Sequence, residues 1–226
     1  VSGGIYASLN VGSGSKDDPA AIAENRSRIA AAFNARELIG VHQVHSPEAV
    51  FAAAPWSAER PQADALVTTA PGLVLTILTA DCAPVLLADA EAGVIAAAHA
   101  GWKGALGGVL ASTISRMVEH GAQPARIAAA IGPCIHQPSY EVGPEFEQHF
   151  IDQDAGYGRF FVPGRGDRRH FDLPGFCCER LRALGVGEIE VLPIDTYAMS
   201  TRYFSHRRSV HDKAGDYGRN CAAIAL

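Results

Sequence analysis

Several features are scarce in this sequence, and each scarcity excludes a class of protein. No apolar run approaches the about 20 residues that a membrane-spanning helix needs. The 19 Lys and Arg are outnumbered by 24 Asp and Glu, and the net charge of −5 does not suit a nucleic-acid surface. There is no signal-peptide pattern, no internal repeat and no linker that would divide the chain. We therefore expect a single domain over residues 1–226, with neither nucleic acid nor a membrane as its partner.

Cysteine is also sparse, and its arrangement indicates the compartment. The chain has five cysteines, an odd number without the spacing of a disulfide framework. Because disulfides persist in oxidising compartments, this pattern favours a reducing one, and we expect a cytoplasmic protein. The sequence gives no indication of the oligomeric state.

Helix and strand signals are abundant. Asp17-Asp18-Pro19 is typical of a helix start, and this helix should end near Phe33. A second helix should open at Gly101 and end near His120, and two more are expected at residues 144–150 and 173–184. The expected strands are residues 38–45, 50–53, 65–68, 73–80, 85–88, 94–98, 126–131, 189–192 and 222–225.

The order of these segments predicts the fold class. The strand at 50–53 should lie beside the strand at 38–45, whereas residues 152–169 carry glycine, proline and charge and should form a long surface loop. Mixed strands and helices predict an α/β or α+β domain with a largely covered sheet.

Three potential metal ligands each follow an apolar run. They are His45 in Val-His-Gln-Val-His, Cys82 in Leu-Thr-Ala-Asp-Cys-Ala-Pro, and His99 in Ile-Ala-Ala-Ala-His-Ala-Gly-Trp. If each run is a buried strand, the three side chains meet at one edge of a sheet. Two imidazoles and a thiolate are one ligand short of a closed zinc site, which is the pattern of a catalytic centre with an open position. The trio therefore predicts a zinc enzyme.

The same residues permit other interpretations. Cys82 with His45 or His99 also suits a cysteine hydrolase, in which the histidine is the base. Two histidines and a cysteine also hold copper when a methionine is the weak axial ligand, and the chain offers only Met117 and Met199. A buried cysteine and hydrogen-bonded histidines without any metal are the structural alternative.

Ten segments, in order along nearly the whole chain, resemble one family. It is the laccase-domain or polyphenol-oxidase family, also called YfiH-like, whose members are regarded as purine nucleoside phosphorylases. The segments are Tyr6-Ala-Ser-Leu-Asn10, Glu24-Asn-Arg26, Gln43-Val-His45, Ala63-Asp-Ala65, Ala80-Asp-Cys-Ala-Pro84, His99-Ala-Gly-Trp-Lys-Gly104, Ile131-Gly-Pro-Cys-Ile135, Tyr140-Glu-Val142, His170-Phe-Asp-Leu173 and Phe204-Ser-His-Arg-Arg208.

The resemblance implies a layered α/β/β/α domain with mixed sheets and a metal site, usually zinc, held by His45, Cys82 and His99. It also implies phosphorolysis of adenosine, inosine and methylthioadenosine, with some adenosine deamination. Copper-dependent phenol oxidation is the first alternative, although the nine histidines form none of the His-x-His pairs of multicopper enzymes. A nucleotide-binding regulator without turnover is another.

Further residues of the matching segments are expected at the site. Asp81 is expected to act with Cys82 and His99 in catalysis, as an acid–base group or by orienting a metal-bound histidine. The residues expected to bind purine nucleoside or phosphate are Asn25, Arg26, Gln43, Lys103, Tyr140, Glu141, Arg207 and Arg208. Lys103 is the strongest phosphate candidate because it stands at a predicted helix N-terminus.

The sequence departs from the family pattern at a few positions. Lys103 stands where arginine is usual, Asp195 where a Cys-Thr pair is common, and His206 where tyrosine is usual. These changes bear on substrate preference more than on the metal site. Val1 falls inside a family motif, so we expect an N-terminal segment to be absent from this sequence.

Overall fold

A computed structural model describes residues 1–35 and 37–226. The strands in these ranges are β1 Leu38–Ile39, β2 Ala49–Phe51, β3 Ala65–Thr68, β4 Val74–Thr79, β5 Ala83–Asp89, β6 Val94–Ala100, β7 Ala128–Ile131, β8 Glu141–Val142, β9 Phe161–Pro163, β10 Arg169–Phe171, β11 Glu188–Val191 and β12 Asn220–Ala225. The α-helices are α1 Pro19–Ala32, α2 Trp102–Gly107, α3 Val109–Glu119, α4 Pro144–Ile151, α5 Leu173–Ala183 and α6 His206–His211. None of these helices is both long and apolar enough to cross a membrane.

Two sheets face each other and form the middle of the molecule. The larger has the strand order β11-β7-β5-β6-β3-β2, and the smaller has β1-β4-β12. Apolar side chains such as Leu66, Leu75, Ile77 and Ile95 fill the space between them. The outer face of each sheet also carries apolar side chains, which helices cover. Helix α1 packs on the outer face of the small sheet, and α3 and α5 pack on the outer face of the large one. The predicted α/β/β/α layering is confirmed.

The chain crosses between the two sheets at one point that matters for the site. Strand β4 ends at Thr79 in the small sheet, and β5 begins at Ala83 in the large sheet. Residues 80–82 therefore lie where the two sheets meet. Strand β6 returns antiparallel to β5, with His99 paired to Pro84.

The predicted pairing of residues 50–53 with residues 38–45 is wrong. Strand β2 runs parallel to β3 in the large sheet, whereas β1 runs parallel to β4 in the small one. The strand expected over 38–45 also stops at Ile39. Beyond Ile39 the backbone pairs elsewhere, since the His42 N–H donates to the Pro61 carbonyl and the His42 carbonyl accepts from the Ala63 N–H. The side-chain amide of Gln43 then bonds both the N–H and the C=O of Leu78 in place of backbone pairing with β4.

Two other elements differ from the sequence prediction. The helix expected from Gly101 to His120 is broken into α2 and α3 at Gly108, whose φ of 102° no helix accommodates. The loop expected over 152–169 contains a 3-10 helix at Ala155–Phe160 and strand β9. Phe160 and Phe161 are buried against the aromatic core, and this burial outweighs the glycine and charge around them.

Candidate metal centre

His45 lies in the loop after β1 and is held there by a carboxylate on its flank. Its φ of 60° is in the left-handed region, which histidine adopts only when the surroundings fix it. The backbone N–H groups of Val44 and Ser46, on either side, both donate to Asp64 Oδ2 at 3.1 and 2.6 Å. The backbone on both sides of His45 is therefore anchored to a single buried oxygen atom.

The other oxygen of the same carboxylate fixes His99. Asp64 Oδ1 lies 2.8 Å from His99 Nδ1, and both side chains are buried. Burial would raise the pKa of Asp64, but hydrogen bonds from His99 and Ser46 outweigh it and lower the pKa to about 2. An ionised Asp64 accepts the Nδ1 proton and leaves Nε2 as the free ring nitrogen, which is how carboxylates orient metal-binding histidines.

Cys82 completes the group at the crossing between the sheets. Its Sγ lies 3.8 Å from His45 Nε2, the His45 and His99 rings meet edge to face at 4.8 Å, and one ligand atom from each residue lies within 4.8 Å of the other two. The expectation that the three meet at one edge of a single sheet is wrong. They come from a loop after the small sheet, from the β4–β5 connection and from within β6, so they meet at the seam between the two sheets.

Gly101 provides room beneath the trio. A Cβ built on Gly101 would lie 2.9 Å from Cys82 Sγ and 2.9 Å from His45 Cδ2. A side chain at this position would therefore push two of the three candidate ligands aside. The absence of a side chain at Gly101 therefore keeps Cys82 Sγ and the His45 ring close together.

The charges of the trio suit a metal ligand set. Burial would raise the pKa of the Cys82 thiol, but the positive charge of His99 and hydrogen bonds from the two histidines outweigh it and lower the pKa. Burial would lower the pKa of His99, yet the Cys82 and Asp64 charges raise it. Both shifts favour the charged forms of the pair, and a divalent cation bound here would take the place of the His99 Nε2 proton.

The donor set fits zinc with an open coordination position. Two imidazoles and a thiolate are three of the four ligands that a tetrahedral zinc ion takes. The copper alternative needs a weak axial methionine, but Met117 is buried in the α3 core and neither Met117 nor Met199 lines a cavity next to the trio. Zinc is the better match to these residues.

Two cavities of about 420 Å³ each open at the trio and share His45, Ala80 and Cys82. We call the first the aromatic pocket, which is lined by Trp102, Lys103, Ile135, Tyr140, Leu173 and Arg207, with Asp81 and His206. We call the second the arginine pocket, which is lined by Gly12, Ser13, Gly14, Arg60, Tyr217 and Arg219, with His42, Gln43 and His99.

The aromatic pocket collects three of the residues predicted to bind substrate. The Arg207 guanidinium lies 5.4 Å from the centre of the Tyr140 ring, and Arg207 Nη1 donates to the Glu141 carbonyl at 2.6 Å. Burial raises the pKa of Tyr140 well above its usual range, so its hydroxyl keeps its proton. Lys103 Nζ lies 5.6 Å from the Trp102 ring. Cations and aromatic faces in one cavity suit a ligand with a ring and polar groups.

Asp81 connects this pocket to α6. Its carboxylate accepts hydrogen bonds from Thr196 Oγ1 at 2.7 Å, Ser205 Oγ at 2.9 Å and the Arg207 backbone N–H at 2.6 Å. Its φ of 83° is left-handed, next to the candidate ligand Cys82. These contacts tie Asp81 to the backbone of Arg207 at the start of α6, and its acid–base role stays a prediction.

Two predicted residues of α1 lie away from both pockets. Asn25 is fully buried and its amide donates to Ser2 Oγ and to the Asn10 carbonyl. Arg26 Nη2 donates to the Leu38 carbonyl at 3.3 Å, and the residue lines a separate cavity of about 250 Å³. The contacts of Asn25 are those of a structural residue.

Arg208 is likewise engaged with the backbone. Its guanidinium donates to the carbonyl oxygens of Thr196, Tyr197 and Tyr203, and it lies outside both pockets. These bonds fasten the loop before α6 rather than present the charge to a ligand.

Two further predicted residues have side chains committed elsewhere. Gln43 lines the arginine pocket, but both ends of its amide bond the Leu78 backbone. The Glu141 carboxylate faces the loop after β9, where it accepts from the Arg165 N–H at 3.2 Å and lies 3.7 Å from Arg168. Glu141 meets the aromatic pocket only through its carbonyl bond to Arg207.

Three features of the site had no role assigned from the sequence. Asp64 stands in Ala63-Asp-Ala65, where a carboxylate between apolar residues ahead of a buried strand was the available signal. No sequence signal indicated a role for Gly101 or for the pair Arg60 and Arg219, because their positions depend on how distant segments pack.

The chain matches known proteins along its length. Residues 1–226 match the model of a family described as multi-copper polyphenol oxidoreductase laccase. A relative from Deinococcus radiodurans, named purine nucleoside phosphorylase, is 45% identical over 230 residues that cover 100% of this chain and 85% of the relative.

Solved structures share the fold. A crystal structure of a Neisseria meningitidis protein gives a TM-score of 0.91 at 32% identity and covers 100% of this chain and 89% of that one. The Bacillus licheniformis protein YfiH gives 0.88 at 27% identity and covers 100% and 88%. A match of this extent, in sequence and in fold, shows that the chain belongs to the laccase-domain, or YfiH-like, family.

Proposed function

We propose that this protein is a zinc-dependent purine nucleoside phosphorylase. It would act on adenosine, inosine and methylthioadenosine and release the free base and the ribose 1-phosphate, with adenosine deamination as a side activity. The observation that carries the proposal is the His45, Cys82 and His99 trio, which opens onto an aromatic pocket and a cationic pocket. The name of the Deinococcus radiodurans relative supports it.

The reaction exchanges two groups at the anomeric carbon. An oxygen of hydrogen phosphate forms a bond to that carbon while the bond to the purine nitrogen breaks, through a transition state that resembles an oxocarbenium ion. The electron pair of the broken bond moves onto the purine, and the proton of hydrogen phosphate ends on the base. The protein's part is to hold both reactants in line and to exclude water.

The residues of the aromatic pocket suit the nucleoside. Trp102 and Tyr140 offer flat apolar surfaces to a purine, and the protonated Tyr140 hydroxyl is available as a hydrogen-bond donor. Lys103 and Arg207 add positive charge, and Asp81 holds Arg207 in place through its backbone N–H. Bound at the trio, zinc would supply a Lewis acid and lower the pKa of water, which is the chemistry that deamination requires.

The five cysteines are all unpaired, which agrees with our proposal that the protein works in the reducing environment of the cytoplasm.

Product analysis of the purified protein tests the proposal. With adenosine, adenine and ribose 1-phosphate should form only when phosphate is present, and Cys82→Ala should abolish both zinc retention and turnover. Inosine in either buffer would report deamination. If no product forms with or without phosphate, or if metal-free Cys82→Ala is active, the proposed function is rejected.

One observation favours a second candidate. The lowered pKa of Cys82 beside two histidines also suits a cysteine nucleophile. Iodoacetamide labelling of Cys82 that a chelator leaves unchanged would support this hydrolase, whereas protection by zinc would support the metal site. Copper oxidation of phenols has less support, since the trio is the only group of three or more such ligands within residues 1–35 and 37–226. Oxygen uptake with copper-loaded protein tests it.

A further inference from the structure

The arginine pocket has a charge pattern that the proposed nucleoside site does not explain. Arg60 and Arg219 line it together with the turn at residues 12–14, and no Asp or Glu of the described ranges lines it. The aromatic pocket, in contrast, has two large rings and the Asp81 carboxylate. The two cavities therefore meet at the trio with different chemistry on each side.

Arg60 is a cation without a carboxylate partner in the described part of the chain. Its Nη2 contacts Ser13 Oγ at 3.4 Å, and no Asp or Glu oxygen described lies within ion-pair distance of it. Arg26 stands in the adjacent cavity, where burial and then the charge of Arg60 lower its pKa. Glu37 shares that adjacent cavity and offsets part of the charge of Arg26, but Arg60 itself keeps no carboxylate within ion-pair distance, and an anion in the arginine pocket would balance it.

Arg219 is held over the pocket by a buried amide. Asn10 is fully buried, and its Oδ1 accepts from the Gly12 N–H at 3.0 Å and from the Arg219 N–H at 2.8 Å. The Arg219 side chain packs on Gly12, where a Cβ would collide with it, and its guanidinium lies 3.7 Å from the Tyr217 ring centre. Its Nη1 donates to the Tyr217 carbonyl and lies 3.7 Å from Asp216 Oδ1, so Nε and Nη2 are the groups left for a ligand. Asn10 thereby links the glycine turn and Arg219 into one rigid unit.

The glycine turn also offers backbone donors. Ser15 N–H closes the turn on the Gly12 carbonyl at 3.0 Å. Within the described residues, the N–H groups of Ser13 and Gly14 at its tip donate to no protein acceptor. Successive free N–H groups beside guanidinium groups form the kind of concave donor set that binds phosphate oxygens.

We propose that the arginine pocket is the subsite for inorganic phosphate, with Arg60, Arg219 and the turn at residues 12–14 as its receptor. This inference rests on the proposed function and deepens it. Phosphate would approach the anomeric carbon from the arginine pocket, while the purine departs into the aromatic pocket. The two cavities meet at the trio, so two reactants bound in them would come together at one point. Lys103, the phosphate candidate from the sequence, lies instead with the nucleoside.

Direct binding and kinetics together test this assignment. Inorganic phosphate is titrated into the purified protein by calorimetry, and the KM values for phosphate and adenosine are measured separately. Arg60→Gln and Arg219→Gln should each raise the Kd and KM for phosphate about tenfold or more, because each removes a charge-assisted hydrogen bond. The KM for adenosine should change less than about twofold, and Arg60→Lys should recover part of the phosphate affinity.

Two matched variants sharpen the comparison. Arg116→Gln removes an exposed arginine from α3 and should leave both constants unchanged. Lys103→Gln should raise the KM for adenosine and leave the Kd for phosphate unchanged. Unaltered phosphate affinity in both arginine variants, or a rise only in the adenosine KM, would overturn the assignment.

The outcomes also separate this inference from the proposed function. Arginine-dependent binding of phosphate by a protein that forms no ribose 1-phosphate would keep the subsite and reject the phosphorylase. If instead adenosine 5′-monophosphate binds in an Arg60-dependent manner and free phosphate does not bind, the pocket recognises a nucleotide phosphate, and the co-substrate assignment is wrong.

Discussion

A single carboxylate organises both histidines of the candidate metal centre. Asp64 accepts from His99 Nδ1 with one oxygen and from the backbone around His45 with the other. A residue that touches no substrate therefore controls the direction of two ligands. Its geometry explains how the two histidines are brought together with Cys82.

Replacing Asp64 with asparagine should weaken zinc binding about 10- to 100-fold, because the amide no longer holds the His99 ring by a charged hydrogen bond. Competition with a chromophoric chelator measures the affinity. Asp167→Asn, at an exposed position, is the control. An Asp64→Asn protein with wild-type zinc affinity would show that His99 needs no such partner.

A methyl group at Gly101 should be as damaging as the loss of a ligand. Its Cβ would displace Cys82 Sγ and His45 together. We expect Gly101→Ala to purify with little zinc and to lose turnover while the fold persists, as far-ultraviolet circular dichroism would show. Gly107→Ala, whose Cβ meets only Pro47 at 4.0 Å, should keep its zinc. Equal zinc content in the two variants would show that zinc binding does not require a glycine at position 101.

At the scale of elements, the site depends on a six-residue helix. Ser205 caps α6 by accepting from the Arg208 N–H, and the same hydroxyl donates to Asp81. Helix α6 thereby keeps Arg207 beside Tyr140. A helix this short has little stability of its own, so the cap and the Asp81 contacts are what hold it in place.

Ser205→Ala should lower the free energy of unfolding by about 1 kcal/mol and raise the KM for adenosine, since the first turn of α6 loses its cap. Ser209→Ala, which removes a local bond to the His206 carbonyl on the same helix, serves as the control. Urea titration and steady-state kinetics measure both effects. An unchanged KM for adenosine in Ser205→Ala would show that the cap of α6 does not contribute to substrate binding.

Sequence patterns predicted the long elements and missed the short ones, for physical reasons. Helix α1 was readable from its Asp18 cap and Pro19, and β3 from a continuous apolar run. Helix α6 and strands β8 to β10 are two to six residues long, too short to show a period. They form because Asp81 and the aromatic core stabilise them from elsewhere in the chain, and such contacts leave no local signal.

The candidate site also has a part that the sequence predicts and a part that it does not. The sequence predicts the trio of His45, Cys82 and His99 because two histidines and a cysteine, each directly after an apolar run, form an uncommon pattern. The two pockets were not, since Gly12 and Arg219 stand at opposite ends of the chain and meet only in the folded protein. Predictions for Asn25 and Arg208 drew on the matching segments, but the structure commits both side chains to local contacts.

For the whole molecule, we expect the response to acid to depend on carboxylates whose pKa is lowered in the fold. Burial would raise the pKa of Asp89, but hydrogen bonds from Gln123, Ala92 and Arg126 outweigh it and lower the pKa to about 2. The pKa values of Asp64 and Asp216 are also lowered to about 2. A folded-state pKa below the unfolded value of 3.8 stabilises the protein above that pH, and the contribution is lost as the pH falls towards 2.

We therefore expect the free energy of unfolding of the metal-free protein to decline steeply between about pH 4 and pH 2. Asp89→Asn should be less stable at pH 7 and should show a shallower decline. Urea titrations across this range provide the measurement. Parallel curves for the wild type and Asp89→Asn would mean that Asp89 is not a source of the acid sensitivity.

The position of the trio at the seam between the two sheets has a mechanical consequence. The β4–β5 connection carries Cys82 across that seam, His99 belongs to the large sheet and His45 follows the small one. A cation bound by all three side chains would cross-link the two sheets, and its binding free energy would oppose their separation. Removing the cation should make local opening between the two sheets more frequent. Amide protons of β1, β4 and β12 should then exchange with solvent sooner than those of β5 and β6.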